Sequence, residues 1–218
     1  ADYLHFTSNN TIYGTQYQEF PEAKCPLVCD MSSDMFSRPF DAEKFDLIYA
    51  GAQKNIGPAG TTLVIVKKSA LGKSGREIPT MLDYQVHASK DSMFNTPPVF
   101  AIYVTMLTLD WLKENGGLEW IGKVNQLKKD AFYQALDRNP MFTGTVDPAV
   151  RSGMNATFLL EDEGLKSHFD AMLKEAGISG LKGHRSVGGY RASMYNALPL
   201  ESVHVLVDVM NQFAQKFG

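Results

Sequence analysis

The sequence has few cysteines, little charge bias and no long apolar run, and each lack excludes a class of protein. Only Cys25 and Cys29 occur among 218 residues, and their Cys-x-x-x-Cys spacing matches neither a zinc ribbon nor a redox pair. We therefore expect two reduced thiols in the core of a cytoplasmic protein. The scattered histidines have no companions at metal-ligand spacing, so we predict no metal site.

The charge of the chain is nearly balanced, with 21 basic and 24 acidic residues and a formal net charge of -3. This balance gives no bulk attraction to nucleic acid or to an anionic membrane. No apolar stretch approaches the roughly 18 residues that a membrane-spanning helix needs, and the polar start of the chain does not resemble a signal peptide. We expect a soluble protein with no nucleic-acid partner and no membrane partner, in which any basic site is local.

Short apolar runs separated by turns fill the first half of the chain, which is typical of an α/β sheet. We predict strands there at residues 3–6, 27–29, 47–49 and 62–66. Later, apolar residues recur at helical spacing, with strand-like segments between the helices. We predict helices between residues 95 and 117 and at 118–138, 166–176 and 200–217, and strands at 154–160 and 190–194. This change of pattern places a domain boundary near residue 115.

One lysine stands among small residues between two predicted strands. Lys54 lies in the segment Ala-Gly-Ala-Gln-Lys-Asn-Ile-Gly-Pro-Ala-Gly at residues 50–60. Glycine and alanine on both sides leave room for a flat group to approach the backbone. Lysine condenses with aldehydes when part of its population is unprotonated. Two interpretations stay open at this point, a covalent site or a solvated lysine in a glycine-rich turn.

A carboxylate follows another predicted strand. Asp30 comes directly after the apolar run at residues 26–29. Open α/β sheets bind ligands at the carboxyl ends of their strands. Enzymes that use pyridoxal phosphate need such a carboxylate to keep the pyridine nitrogen protonated. A helix N-cap is the alternative, because aspartate is common there.

Together these segments resemble the phosphoserine aminotransferase family, class-V aminotransferases that use pyridoxal 5'-phosphate. The matching segments are, in chain order, Asp-Met-Ser-Ser (30–33), Ser-Arg-Pro (37–39), the segment at 50–60, Ser-Met-Phe-Asn-Thr-Pro-Pro (92–98), Asn-Gly-Gly (115–117), Arg-Ser-Gly-Met-Asn (151–155), Gly-His-Arg-Ser-Val-Gly-Gly (183–189) and Arg-Ala-Ser-Met-Tyr-Asn-Ala (191–197). The resemblance implies the α/β fold of the pyridoxal-phosphate-dependent transferases, fold type I, which is aspartate aminotransferase-like. Residues 1–114 would be the second half of the large domain, and residues 115–218 the small C-terminal α+β domain.

The resemblance also implies roles for residues around the cofactor. Lys54 would be the catalytic residue and would bind pyridoxal 5'-phosphate covalently, and Asp30 would pair with the pyridine nitrogen. Thr11 and Gln53 would complete the cofactor contacts of this chain. Directly before Thr11, Asn10 replaces a glutamate that the family usually has.

Asn95 and Thr96 precede the first long predicted helix. Thr96 can cap this helix with Pro97 as its first residue, and a helix N-terminus suits a phosphate. The resemblance implies that Asn95 and Thr96 contact the cofactor phosphate of the neighbouring subunit, in a homodimer with shared active sites. A plain helix cap is the alternative.

His184, Arg185 and Arg191 form a small basic cluster among glycines. Arginine is suited to bidentate capture of carboxylate and phosphate. The resemblance implies that Arg191 binds the substrate α-carboxylate, and that His184 and Arg185 bind the substrate phosphate in the partner subunit. A solvated loop is the alternative.

The activity that the resemblance implies is transfer of an amino group from glutamate to 3-phosphohydroxypyruvate, which gives O-phosphoserine and 2-oxoglutarate. This step belongs to serine biosynthesis, and we also expect the matching step of pyridoxine biosynthesis. The family has a substantial N-terminal portion before the point at which this chain starts, so we expect the isolated chain to bind the cofactor poorly and to be inactive. The alternatives are another small-substrate class-V aminotransferase, a cysteine desulfurase, or a non-catalytic fragment that only dimerises.

Overall fold

The computed structural model describes all 218 residues of the chain, Ala1–Gly218. Its strands are β1 (Leu4–Thr7), β2 (Asn9–Asn10), β3 (Thr15–Gln16), β4 (Leu27–Asp30), β5 (Leu47–Gly51), β6 (Thr62–Val66), β7 (Phe142–Gly144), β8 (Asn155–Leu160) and β9 (Tyr190–Ser193). Its α-helices are α1 (Tyr84–Ser89), α2 (Val99–Glu114), α3 (Gly117–Arg138), α4 (Lys166–Glu175) and α5 (Leu200–Phe217). None of these helices combines the length and the apolar character that crossing a membrane requires.

The first sheet brings the ends of two predicted site strands to one edge. Its order is β1-β4-β5-β6, in which β1, β4 and β5 are parallel and β6 is antiparallel to β5. Thr7 pairs with Asp30, and Asp30 pairs with Tyr49, so the parallel strands end close to one another. Because the carboxyl ends of parallel strands share an edge, Asp30 and the loop after β5 lie together there.

One face of this sheet packs the first hydrophobic core. Phe6, Cys29 and Ile48 point to this face from three neighbouring strands and are buried. Burial raises the pKa of the Cys29 thiol to about 12. Both cysteines are free, but Cys25 is only half-buried and lies outside this core, so the prediction of two core thiols is correct for Cys29 alone.

The second half of the chain packs helices against the antiparallel sheet β7-β8-β9. Its core is rich in aromatic rings: Phe132 of α3, Phe158 of β8, Phe169 of α4 and Phe213 of α5 are fully buried. Neighbouring rings meet at tilted or edge-to-face angles, with centroids 5.1 Å apart for Phe169 and Phe213. Such pairs add to the free energy that apolar burial contributes.

Two glycines lie at the junction of α2 and α3, where the sequence places the domain boundary. Gly116 and Gly117 have φ angles of 108° and 67°, which a residue with a Cβ rarely adopts. The core of 10 buried residues before them and the core of 17 buried residues after them share no residue. This separation supports the boundary near residue 115, which stays a prediction.

A hairpin formed by β2 and β3 joins the two halves of the molecule. The side-chain Oγ1 of Thr157, in β8, donates a 3.0 Å hydrogen bond to the backbone O of Tyr13 in the hairpin turn. Gly14 has φ 75°, and a Cβ on it would lie 2.6 Å from Oγ1 of Thr157. The sequence does not predict this hairpin, because strands of two residues carry no periodicity.

Candidate active site

Lys54 lies in a tight loop that follows β5. Within the loop, the backbone N of Gly57 donates to the backbone O of Ala52 at 2.8 Å, and Ala52 N donates to Thr61 O at 3.0 Å. A Cβ on Gly57 would lie 2.7 Å from Oγ1 of Thr105 and 3.1 Å from its Cα, so the loop packs directly on α2. Gly57 therefore serves close packing of the loop on α2, a contact that the sequence does not predict.

The amine of Lys54 is half-buried and held by one hydroxyl. Its Nζ donates a 2.8 Å hydrogen bond to Oγ1 of Thr11, in the hairpin turn. Burial lowers the pKa of Lys54, the carboxylate of Asp30 opposes that shift, and the guanidinium of Arg191 adds to it. A lowered pKa leaves more of the amine neutral near pH 7, as attack on an aldehyde requires.

Asp30 is the last residue of β4, at the edge of the sheet beside the Lys54 loop. Its Oδ1 accepts a 2.8 Å hydrogen bond from the backbone N of Ser32. The residues that follow form turns and no helix begins there, so the alternative of a helix N-cap is wrong. Tyr49 lies beside Asp30 on the neighbouring strand, and burial together with the carboxylate of Asp30 raises the pKa of the Tyr49 hydroxyl.

Thr11 is held by the turn of the hairpin. Oδ1 of Asn10 accepts hydrogen bonds from the backbone N of Ile12 and of Tyr13, each at 3.0 Å. These bonds close the turn around Thr11 with a short side chain, as aspartate and asparagine commonly do. Asn10, where the family usually has glutamate, therefore shapes the segment that holds Lys54.

Arg191, in the sheet β7-β8-β9, contacts the same hairpin turn. It lies in β9, and its Nη1 donates a 3.3 Å hydrogen bond to the backbone O of Thr11. Its Nε is buried and has no hydrogen-bond partner in the chain. A buried donor without an acceptor is costly, so the donor set of Arg191 fits an anionic ligand.

Gln53 precedes Lys54 in the chain, and no hydrogen bond joins its side chain to the other site residues. It is exposed, beside Lys54, and its Oε1 lies over Gly51 at the end of β5.

The predicted cap of the first long helix is wrong. The helix α2 begins at Val99, its N-cap residue is Pro98, and no side chain caps it. A residue that precedes proline is disfavoured from helical geometry, so Pro97 cannot start a helix in front of Pro98. Asn95 and Thr96 are exposed, and Nδ2 of Asn95 donates only to the backbone O of Thr96, at 3.1 Å. Within one chain they do not contact Lys54.

His184 and Arg185 lie in a closed glycine loop before β9. The backbone N of Gly183 donates to Gly189 O at 2.9 Å, and a Cβ on Gly183 would overlap Gly188 O, so only glycine fits there. Nδ1 of His184 is 2.7 Å from Oγ of Ser186. Arg185 is exposed, and no hydrogen bond joins it or His184 to Arg191.

A buried polar cluster beneath the site is absent from the sequence predictions. Asp34 accepts hydrogen bonds from the hydroxyl of Ser8 and, at 3.2 Å, from Nε2 of Gln16. Burial raises the pKa of Asp34. Nδ2 of Asn9 donates to Oδ1 of Asn155 in β8 at 2.9 Å. Asp34 follows the matching segment at residues 30–33, which is the one signal that could have pointed to it.

No three side chains of metal-binding types meet in a way that could hold an ion.

Comparison with known proteins matches residues 1–206 to the family described as aminotransferase class-V. A phosphoserine aminotransferase from Flavobacterium johnsoniae is 62% identical over 216 residues, which cover 99% of this chain and 61% of the relative. One from Bacillus cereus is 51% identical, over 97% of this chain and 59% of the relative. This chain therefore spans about 61% of the length of the curated relatives that it matches.

Solved structures agree with this match. The phosphoserine aminotransferase from Bacillus circulans subsp. alkalophilus has a TM-score of 0.95 and 48% identity, over 99% of this chain and 60% of that chain. A pyridoxal-phosphate-bound phosphoserine aminotransferase from Trichomonas vaginalis has a TM-score of 0.91 and 39% identity, over 96% of this chain and 60% of that chain. The predicted fold type I is confirmed, and the chain belongs to the class-V aminotransferase family.

Proposed function

We propose that this protein is a phosphoserine aminotransferase that uses pyridoxal 5'-phosphate. It transfers an amino group from glutamate to 3-phosphohydroxypyruvate and gives O-phosphoserine and 2-oxoglutarate, in cytoplasmic serine biosynthesis and in the matching step of pyridoxine biosynthesis. One observation carries the proposal: Thr11 accepts from Nζ of Lys54 at its side chain and from Nη1 of Arg191 at its backbone. Thr11 therefore holds a reactive amine and an anion-binding guanidinium next to each other.

The residues at the sheet edge fit the cofactor. Lys54 offers an amine of lowered pKa for the aldehyde carbon, and Asp30 offers a carboxylate oxygen for the pyridine nitrogen. Thr11 and Gln53 complete the set from this chain. When bound, pyridoxal phosphate supplies the electron sink that stabilises negative charge at the substrate Cα.

Each side chain then has a distinct task in the reaction. With pyridoxal phosphate bound, Nζ of Lys54 would act as the base that moves the proton from the substrate Cα to the cofactor carbon that receives the amino group. Asp30 keeps the pyridine nitrogen protonated. Arg191 binds the α-carboxylate, and its unpaired buried Nε supports this role.

The substrate phosphate requires a second anion site. A phosphorylated three-carbon keto acid has two anionic ends, and one arginine cannot pair with both. His184 and Arg185 of the neighbouring subunit supply this site. The exposure of Arg185 and the lack of any hydrogen bond between it and Arg191 support a role across an interface.

A homodimer with shared sites accounts for two further features. Asn95 and Thr96 are exposed, and no hydrogen bond within the chain joins them to Lys54, so they are available to the cofactor phosphate of another subunit. The helix that follows exposes apolar side chains: Val99 is 68% and Phe100 is 76% exposed. Apolar surface of this kind is typical of an interface.

A cysteine desulfurase has no support in the structure. Such an enzyme needs an accessible thiolate on a loop at the active site, whereas Cys29 is buried in a strand with its pKa raised to about 12 by burial. The half-buried Cys25 precedes β4, at the end of the strand opposite to Asp30.

The test is covalent labelling in the full-length protein. We expect incubation with pyridoxal phosphate, borohydride reduction and peptide mapping to place the tag on Lys54. Lys128 is the matched control, because burial also lowers its pKa but it is fully buried and offers no space to the cofactor. In a separate, unreduced sample, O-phosphoserine should bleach the visible absorption of the bound cofactor, and L-alanine should not. A tag on another lysine, or equal bleaching by both amino acids, would contradict the proposal.

A further inference from the structure

A hydrogen bond between two asparagines joins the chain segment that carries Arg191 to the segment that carries Lys54. Asn196 follows β9 and is 5% exposed. Its backbone N donates a 3.0 Å hydrogen bond to Oδ1 of Asn55, the residue directly after Lys54. Asn55 is also buried, and its Nδ2 donates to the backbone O of Met35 at 3.1 Å.

The side chain of Asn196 also holds the loop that follows Asp30. Its Nδ2 donates a 2.9 Å hydrogen bond to the backbone O of Phe36. Phe36 has φ 57°, an unfavourable conformation for a residue with a Cβ, so this loop needs support from outside. Oδ1 of Asn196 accepts from Nδ2 of Asn125, in α3, at 2.9 Å.

A buried lysine fixes the turn in which Asn196 lies. Nζ of Lys128 donates to the backbone O of Met194 at 3.1 Å, of Tyr195 at 2.9 Å and of Leu198 at 3.1 Å. These acceptors lie on both sides of Asn196, and Lys128 is 0% exposed. The turn is thus anchored to α3 and cannot shift without breaking buried hydrogen bonds.

We propose that Asn196 is a positioning residue, which fixes Arg191, Lys54 and Asp30 relative to one another. Lys54 and Asp30 follow adjacent strands of one sheet, but Arg191 belongs to the other sheet, and no strand pairing joins the two sheets. The direct bond from Arg191 to Thr11 is long, at 3.3 Å. Catalytic groups must be held within about 0.5 Å of productive geometry, so a second tie is required. This inference rests on the proposed function.

The test compares two buried asparagines in the full-length protein loaded with pyridoxal phosphate. Asn196→Ala removes the side-chain bonds to Phe36 and Asn125 and keeps the backbone bond to Asn55, so it frees the turn from the loop after Asp30 and from α3. Asn139→Ala is the matched control, because Nδ2 of Asn139 makes a similar 3.0 Å bond to the backbone O of Met210, within the second core. The readouts are the melting temperature, the pH midpoint of the visible absorption of the bound cofactor, and kcat and KM for glutamate.

We expect both variants to lose thermal stability. Only Asn196→Ala should shift the pH midpoint and lower kcat, by about ten- to a hundredfold. If both variants change the pH midpoint and kcat to the same extent, or if neither variant changes them, Asn196 is merely structural and the inference is wrong. If Asn196→Ala does not fold, Asn125→Ala tests the same tie from α3, with a smaller shift expected in the same direction. If the unmodified protein shows no visible band, the proposed function itself is wrong.

Discussion

Nζ of Lys54 donates a 2.8 Å hydrogen bond to Oγ1 of Thr11, in the hairpin that joins the two halves of the molecule. The amine is therefore oriented before any ligand binds, and its lowered pKa follows mainly from burial. Because Arg191 contacts the same threonine, the proposed covalent site and the proposed carboxylate site share Thr11 as a hydrogen-bond acceptor.

Asp30→Asn should separate cofactor binding from turnover. The amide can still contact the pyridine nitrogen but cannot keep it protonated, so the electron sink is weakened. We expect the visible absorption of bound pyridoxal phosphate to persist in part while kcat falls by about a hundredfold or more. The measurement is titration with cofactor followed by steady-state kinetics, and a variant that keeps full activity would contradict the role of Asp30.

Arg191→Ala and Arg185→Ala should differ in substrate dependence. Arg191→Ala removes the carboxylate site and should weaken every amino acid and keto acid, glutamate included. Arg185→Ala should weaken phosphoserine more than glutamate, by about 2 to 5 kcal/mol in the free energy of transition-state binding. The measurement is the ratio of half-reaction rates for the two amino acids in each variant. An unchanged ratio in Arg185→Ala would mean that Arg185 does not bind the substrate phosphate and belongs to a solvated loop.

Subunit mixing tests the shared site. When each is a separate homodimer, Lys54→Ala should be inactive and Arg185→Ala should keep little activity with phosphoserine. In a mixed dimer one site combines an intact Lys54 with an intact Arg185 from the other subunit, so part of the activity should return. Subunit exchange is verified with differently tagged chains, and exchange without recovery would place both residues of a site in one chain.

Lys128 should make stability depend on pH. Burial lowers its pKa to about 8 in the folded chain, from an ordinary value of 10.5. Between these values the unfolded chain holds more protons than the folded one, so the contribution of Lys128 to the free energy of unfolding rises with pH. Below this window the full cost of burying the charge applies.

Urea unfolding of the native protein and of Lys128→Met, from pH 7 to pH 10, measures this effect. The difference in free energy of unfolding should move in favour of the native protein as the pH rises through the window that begins at about 8. Lys123→Met, at an exposed position of the same helix, is the control and should show a constant difference. A constant difference for Lys128→Met as well would mean that its pKa is not lowered.

The local pattern of apolar residues in the sequence is sufficient to predict much of the fold. The predicted strand at 62–66 and the predicted helix at 200–217 have the observed bounds, since each has a continuous apolar pattern. The start of α2 was predicted wrongly because a threonine followed by proline looks like a cap, whereas the second proline prevents helical geometry at the first. The helix α1 was also missed, because its six residues are too few to show a period.

The sequence by itself determined that Asp30 ends a strand and that Lys54 lies in a tight loop of small residues, since both features depend on neighbours in the chain. Only the tertiary structure decided that Thr11 lies between Lys54 and Arg191, and that Asn196 reaches Asn55. These bonds join segments that are distant in sequence. A single polar residue in a loop has the same local pattern whether it faces water or a buried partner, so packing alone selects its contacts.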